Sequence, residues 1–193
     1  MKKRKISLPL LLGICLILGS LCVFALSAIR LHQGEQTCRQ AMAKLEKALP
    51  DVVPGVPGIP GNMPVMQVEG VDYAALLEVP AFGIKLPVAD EWDAQSLAGV
   101  PARFYGSAYE GTLVIGGSDT AYQFGFCDRI QHGAAVTVTD MTGSRFSYTV
   151  TRIDRAKHAE SDWLAVEDFD LTIFCRDTYT LEYIAVRCNY SYK

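Results

Sequence analysis

The chain has 193 residues, half of them hydrophobic. That is enough for one domain of about 120 residues with its own core, plus accessory segments. The formal net charge is −3, but Lys2, Lys3, Arg4 and Lys5 precede the first apolar run, and the rest of the chain carries 14 basic against 21 acidic residues, or −7. An acidic domain lacks the positive surface that nucleic acid or anionic lipid requires, so we exclude both as its partners.

Residues 1–5 form a basic tail, and Ile6 to Ile29 follows without a charged residue. At about 1.5 Å per residue, a helix of this length crosses a hydrocarbon core of about 30 Å. We therefore predict a transmembrane helix over 6–29; the alternative is a cleaved signal peptide, with Ala25 to Ala28 as a loose cleavage site. The positive-inside rule places the tail in the cytoplasm and the domain outside the cell, as in a single-pass membrane protein.

Residues 30–70 are predicted to form a stalk. Thr37 is placed to cap a short juxtamembrane helix that ends before Pro50. The next stretch, PDVVPGVPGIPGNMP, alternates proline and glycine and is typical of an extended linker. Helix and linker together would hold a domain away from the membrane.

Residues 71–193 have the pattern of an all-β domain, with short apolar runs separated by Gly, Pro and Asp. We predict a hairpin whose strands, 135–139 and 145–153, flank a turn containing Gly143. Short helical segments are expected at 92–99 and 162–168, and two last strands at 171–174 and 183–187. No pair of cysteines or histidines has metal-ligand spacing and no phosphate loop is present, so we expect neither a metal nor a cofactor.

Four stretches occur in the order known from one family: AFGIKLPV from Ala81, PARFYGS from Pro101, LVIGGSDTAYQFG from Leu113 and DLTIFCRDTYTLEYIAVRC from Asp170. With them the region from about Val71 onward resembles the sortases, in particular their class B and class D members, which are surface transpeptidases of Gram-positive bacteria. The resemblance implies a closed eight-stranded β-barrel with short helices, without free sheet edges. It also implies a peptide of a surface protein or pilin, or another sortase, as partner.

The three catalytic positions of the family hold other residues in this chain. The resemblance places the family's histidine at Ser118, its cysteine at Arg176 and its arginine at Tyr183. A hydroxyl does not titrate near neutral pH as an imidazole does, and Tyr183 brings no positive charge to an oxyanion. The sequence therefore predicts an accessory or peptide-binding protein without transpeptidase activity.

Cys175 keeps an alternative open, because it lies one residue before the family's nucleophile position. Since side chains alternate along a strand, Cys175 should face away from Arg176 as a buried thiol, unless a bulge restores its direction. The alternative function is a cysteine transpeptidase with a rearranged site that uses Cys175 as nucleophile and His158 as base.

Charged residues surround the expected cleft. Arg176 has Asp177 beside it, and Asp119 follows Ser118. A guanidinium suits recognition of a peptide carboxylate, although Arg176 is equally suited to a surface ion pair with Asp119 or Asp177. An oxidising exterior favours disulfides, but the sequence leaves the pairing of Cys38, Cys127, Cys175 and Cys188 open.

Overall fold

The computed structural model describes residues 8–58, 61–92, 99–166 and 168–191. Its elements in chain order are helix α1 (Leu8–Ala48), strands β1 (Val53–Pro54), β2 (Met66–Val68) and β3 (Val71–Val79), a 3-10 turn (Pro80–Phe82), strands β4 (Ile84–Ala89), β5 (Ala102–Tyr105), β6 (Leu113–Gly116), β7 (Ala135–Asp140) and β8 (Ser144–Ala156), helix α2 (Ser161–Leu164), and strands β9 (Leu171–Arg176) and β10 (Tyr183–Tyr190).

Eight of these strands form a closed ring in the order β3-β4-β5-β6-β9-β10-β8-β7, which β7 closes by pairing with both β3 and β8. The predicted eight-stranded barrel is thus confirmed. The short strands β1 and β2 add to β8 and β3 outside the ring. Two pairs, β4 with β5 and β6 with β9, are parallel, and the other neighbours in the ring are antiparallel.

The hairpin of β7 and β8 forms where the sequence predicted it. Asp140 is buried at the turn, and its Oδ1 accepts hydrogen bonds from the backbone N–H groups of Thr142 and Ser144, both at 2.9 Å. Gly143 has φ +86°, which favours glycine. The predicted segment at 162–168 forms a helix only over Ser161–Leu164, and the one predicted at 92–99 lies almost wholly outside the described residues.

The predicted break between a membrane helix and a juxtamembrane helix is wrong, because α1 runs without interruption from Leu8 to Ala48. Thr37 does not cap a helix; its hydroxyl donates to the carbonyl of Gln33 at 3.0 Å, four residues back in the same helix. An 18-residue window of this helix has a mean hydropathy of 2.5 and no buried residue, so α1 is long and apolar enough to cross a membrane.

The end of α1 packs on the barrel, since Cys38, Ala41, Met42 and Leu45 are buried in the main core. The proline-rich segment is likewise attached and not a free spacer. Val53 and Pro54 pair with β8, and Gly58 donates to the carbonyl of Tyr109 at 2.7 Å. Extended backbone suits an edge of the sheet, where proline's missing N–H costs little.

Candidate functional site

The three positions that the sequence predicts as counterparts of the family's catalytic residues lie at the same end of neighbouring strands. Tyr183 opens β10 and pairs with Arg176, the last residue of β9. In the parallel pair of β6 and β9, Gly116 lies opposite Phe174, and the N–H of Gly117 donates to the Phe174 carbonyl at 3.1 Å. Ser118 therefore leaves β6 beside the end of β9. We call Ser118, Arg176 and Tyr183 the strand-end site.

Arg176 is exposed at this end of the sheet. Its Nε donates to the carbonyl of Leu181 at 3.1 Å, and its guanidinium carbon lies 5.7 Å from the centre of the Tyr183 ring. In the described part of the chain, neither terminal nitrogen of Arg176 has a hydrogen-bond partner. The side chain is therefore held in place at one end while two donor groups face solvent.

The two acidic residues near Arg176 are bound to backbone and do not pair with it. Asp119 accepts a hydrogen bond from the N–H of Thr178 at 2.9 Å. Asp177 accepts from the N–H groups of Tyr179 and Thr180 at 2.7 and 2.8 Å. The surface ion pair offered as an alternative for Arg176 is thus not formed. Both carboxylates instead fix the loop between β9 and β10.

The hydrogen bonds to Asp177 also stabilise its charge. The backbone N–H groups of Thr180 and Tyr179 lower the pKa of Asp177 below its ordinary value. Arg155 adds a weaker ion pair, with Nη1 and Oδ2 3.8 Å apart. The carboxylate is therefore ionised at neutral pH and is used in building the loop.

Cys175 and His158 lie in different environments. Cys175 is 1% exposed and belongs to the main core inside the barrel, where its Sγ is 3.8 Å from the carbonyl oxygen of Phe124. His158 is exposed in the segment between β8 and α2. A thiol that faces the barrel interior and an imidazole at the surface do not form the contact that proton transfer needs.

The outer face of β6, β9 and β10 is covered by aromatic side chains, of which only Tyr183 was predicted from the sequence to belong to the site. Phe174 is nearly buried, and Trp92 stacks on it with ring centres 5.2 Å apart. Phe104 packs edge-on against both rings, at 5.6 and 5.4 Å. Together with these rings, the outer cluster comprises Val114, Leu164 and Ala185, packed by Trp163 and Tyr183. Alternation along β9 places Phe174 on this face, but no periodic signal marks Trp92, which follows β4, or Trp163, which lies in the short helix α2.

Arg187 is a buried cation on the same strand as Tyr183, and its burial was not predicted from the sequence. It pairs with Thr172, not with Arg176, and therefore lies about 13 Å along the strand from Tyr183. The side chain is fully buried. It donates to the carbonyls of Leu164 and Trp163 and to Asp154, and so ties the segment containing α2 to the sheet.

Two cavities border the outer cluster in the described part of the chain. One of about 160 Å³ is lined by Tyr105, Val114, Leu164, Phe169 and Thr172, among others. A second cavity, of about 430 Å³, opens beside Trp92 and Arg103. The Arg103 guanidinium forms an ion pair with Asp90, with Nη2 and Oδ1 2.5 Å apart. Among the described residues no group of three or more His, Cys, Asp or Glu is placed to hold a metal ion.

Solved structures of sortases share this architecture. Sortase C1 of Streptococcus agalactiae superposes with a TM-score of 0.56 at 18% identity, over 66% of this chain and 72% of that one. Sortase A of Corynebacterium diphtheriae gives 0.55 at 17%, over 86% of both chains. A sortase D5 transpeptidase of Clostridium perfringens gives 0.55 at 17%, over 83% of this chain and 99% of that one. No family model and no curated protein matches the sequence. The chain therefore has a sortase-like fold, as the resemblance predicted.

Proposed function

We propose that this chain is a membrane-anchored, extracellular protein of a Gram-positive bacterium that uses its sortase-like barrel to bind a peptide without cleaving it. The peptide belongs to a surface protein or pilin, or to another sortase that this chain assists. The observation that carries the proposal is the difference between two adjacent side chains at the end of β9, those of Cys175 and Arg176. Arg176 presents two guanidinium nitrogens that have no partner among the described residues, whereas the neighbouring thiol of Cys175 faces the barrel interior.

Transpeptidation requires a thiolate on the face where the peptide lies, a base that titrates near neutral pH and a cation or donor for the oxyanion. At the strand-end site the thiol is replaced by a guanidinium, and the imidazole by the hydroxyl of Ser118. Tyr183 offers one neutral donor. This set of groups does not supply a nucleophile or its base.

The same groups are suited to binding. A guanidinium has planar donors that match a carboxylate, and its attachment to the Leu181 carbonyl and the Tyr183 ring limits the entropy lost on binding. Tyr179 and Leu181, 94% and 57% exposed, provide apolar surface in the adjoining loop. We therefore expect an acidic or C-terminal carboxylate of the peptide at Arg176, with an apolar side chain beside it.

The apolar helix α1 supports the proposed membrane anchor. Its apolar part is long enough to span the bilayer, and the basic residues Lys2 to Lys5 precede it. By the positive-inside rule these residues stay in the cytoplasm, which places the barrel outside.

The proposal is tested with the full chain in detergent micelles, a fluorescent sorting-motif peptide and two readouts, anisotropy for binding and mass spectrometry for cleavage. We expect binding without cleavage. Arg176→Ala should weaken binding at least tenfold, whereas Arg39→Ala, which removes an exposed arginine on α1, should not. Cleavage by the native chain that disappears in Cys175→Ala would establish the alternative, a transpeptidase with a rearranged site.

A gain-of-function variant tests the assignment of the strand-end site. Ser118→His, Arg176→Cys and Tyr183→Arg together restore the family's base, nucleophile and cation on strand ends that are already neighbours. We expect the triple variant to cleave the peptide. The three single variants are the controls and should gain little, because residues of one catalytic unit act together.

A further inference from the structure

Two buried cysteines contact the same backbone carbonyl in the barrel interior. Cys127 and Cys175 are each 1% exposed and belong to the main core. The carbonyl of Phe124 accepts both the N–H of Cys127, at 2.9 Å, and the thiol of Cys175, at 3.8 Å. Burial first, and then the nearby thiol of Cys175, raise the pKa of Cys127 well above its ordinary value.

The other cysteines of the domain are less suited to pairing with Cys175. Cys188 lies on the neighbouring strand opposite Leu171, four residues from the position opposite Cys175. That offset is about 13 Å, whereas a disulfide joins Cα atoms less than about 7 Å apart. Cys38 belongs to α1 and lines the cavity between that helix and β4. These positions therefore favour Cys127 as the disulfide partner of Cys175.

We propose that Cys127 and Cys175 form a disulfide in the mature protein. The bond joins the two Sγ atoms, and each thiol loses its proton and one electron. A dithiol–disulfide exchange protein or oxidised glutathione outside the cytoplasm accepts the two electrons and two protons, and its own disulfide is reduced to two thiols. The step rests on the proposed extracellular position of the barrel, since cytosolic thiols are kept reduced.

The bond would connect the two segments that carry the strand-end site. Cys127 lies in the run of turns after β6 that follows Ser118 and Asp119, and Cys175 directly precedes Arg176 in β9. A disulfide between them would fix the position of Ser118 relative to Arg176 from the barrel interior. The disulfide would also oxidise Cys175, the thiol next to the predicted nucleophile position.

The test uses the full chain in detergent, incubated in an oxidising glutathione buffer so that its outcome does not depend on the orientation in the membrane. Free thiols are then alkylated under denaturing conditions, and peptides are mapped with and without reductant. We expect a linked peptide pair containing Cys127 and Cys175, about 2 Da lighter than the two free peptides together. Cys188→Ser, the matched control, should retain it, and Cys127→Ser should leave Cys175 fully alkylated.

Two results would overturn the disulfide. One is alkylation of both Cys127 and Cys175 in the native chain without reductant, and the other is a linked peptide that contains Cys38 or Cys188. Both are read from the native chain, so they hold even if a cysteine variant does not fold. Peptide binding at Arg176, measured separately by anisotropy, decides the proposed function independently.

Discussion

The buried guanidinium of Arg187 should be among the most costly side chains to remove from the barrel. It donates through Nη1 to the Leu164 carbonyl at 2.7 Å and to Thr172 Oγ1 at 3.0 Å, through Nη2 to the Trp163 carbonyl, and through Nε to Asp154 at 3.2 Å. The guanidinium carbon also lies 5.0 Å from the centre of the Trp163 ring. In Arg187→Ala all of these contacts are lost at once.

The expected loss of folding free energy follows from the groups that lose a hydrogen-bond or ion-pair partner. Each backbone carbonyl that loses its donor in a buried site costs about 1–3 kcal/mol, and breaking a buried ion pair costs about 3–5 kcal/mol. Asp154 keeps a second partner, because Arg152 Nε lies 2.6 Å from its other oxygen. We therefore expect the free energy of unfolding to fall by about 4 kcal/mol in Arg187→Ala. Arg187→Lys should cost about half of that, since it keeps the charge but not the planar set of donors.

The assay is urea unfolding of the full chain in detergent, followed by tryptophan fluorescence. The chain has two tryptophans, Trp92 and Trp163, and both pack on the outer cluster. Arg152→Ala is the matched control; it removes a 64% exposed partner of the same carboxylate and should cost less than about 1 kcal/mol. An Arg187→Ala variant as stable as this control would show that the guanidinium does not hold the α2 segment on the sheet.

Three further predictions concern α1 and the loop after β9. Leu45→Ala should destabilise the barrel by about 2–5 kcal/mol in the same urea assay, because Leu45 is fully buried, while Leu31→Ala, at a half-exposed position, should not. Limited proteolysis of membranes should release a fragment that begins before Cys38, as read from its mass by mass spectrometry. A fragment that begins within 50–64 would mean that the proline-rich segment is not attached to β8. The lowered pKa of Asp177 stabilises the loop above the unfolded-state pKa of about 3.9. Amide exchange protection of Tyr179 and Thr180 should therefore persist at neutral pH, fall as the pH drops through the folded-state pKa, and be weak at all pH values in Asp177→Asn.

The sequence by itself determined the all-β class of the domain and the position of four of its strands. Alternating apolar runs with Gly and Asp at the turns identify β7, β8, β9 and β10, because local patterns decide which segments become strands. The 24 uncharged residues before Arg30 likewise identify an apolar helix without any knowledge of the barrel. The alternation along β9 also separates Cys175 from Arg176, since adjacent side chains in a strand point to opposite faces.

Tertiary structure decided which distant segments contact one another, which a local sequence pattern does not encode. The helix continues past Ile29 to Ala48 because its polar half has an apolar stripe that the barrel buries. The Phe124 carbonyl that Cys127 and Cys175 share, and the packing of Arg187 on Trp163, join segments far apart in sequence. No spacing rule predicts such neighbours, because they depend on how strands from different parts of the chain close into one ring.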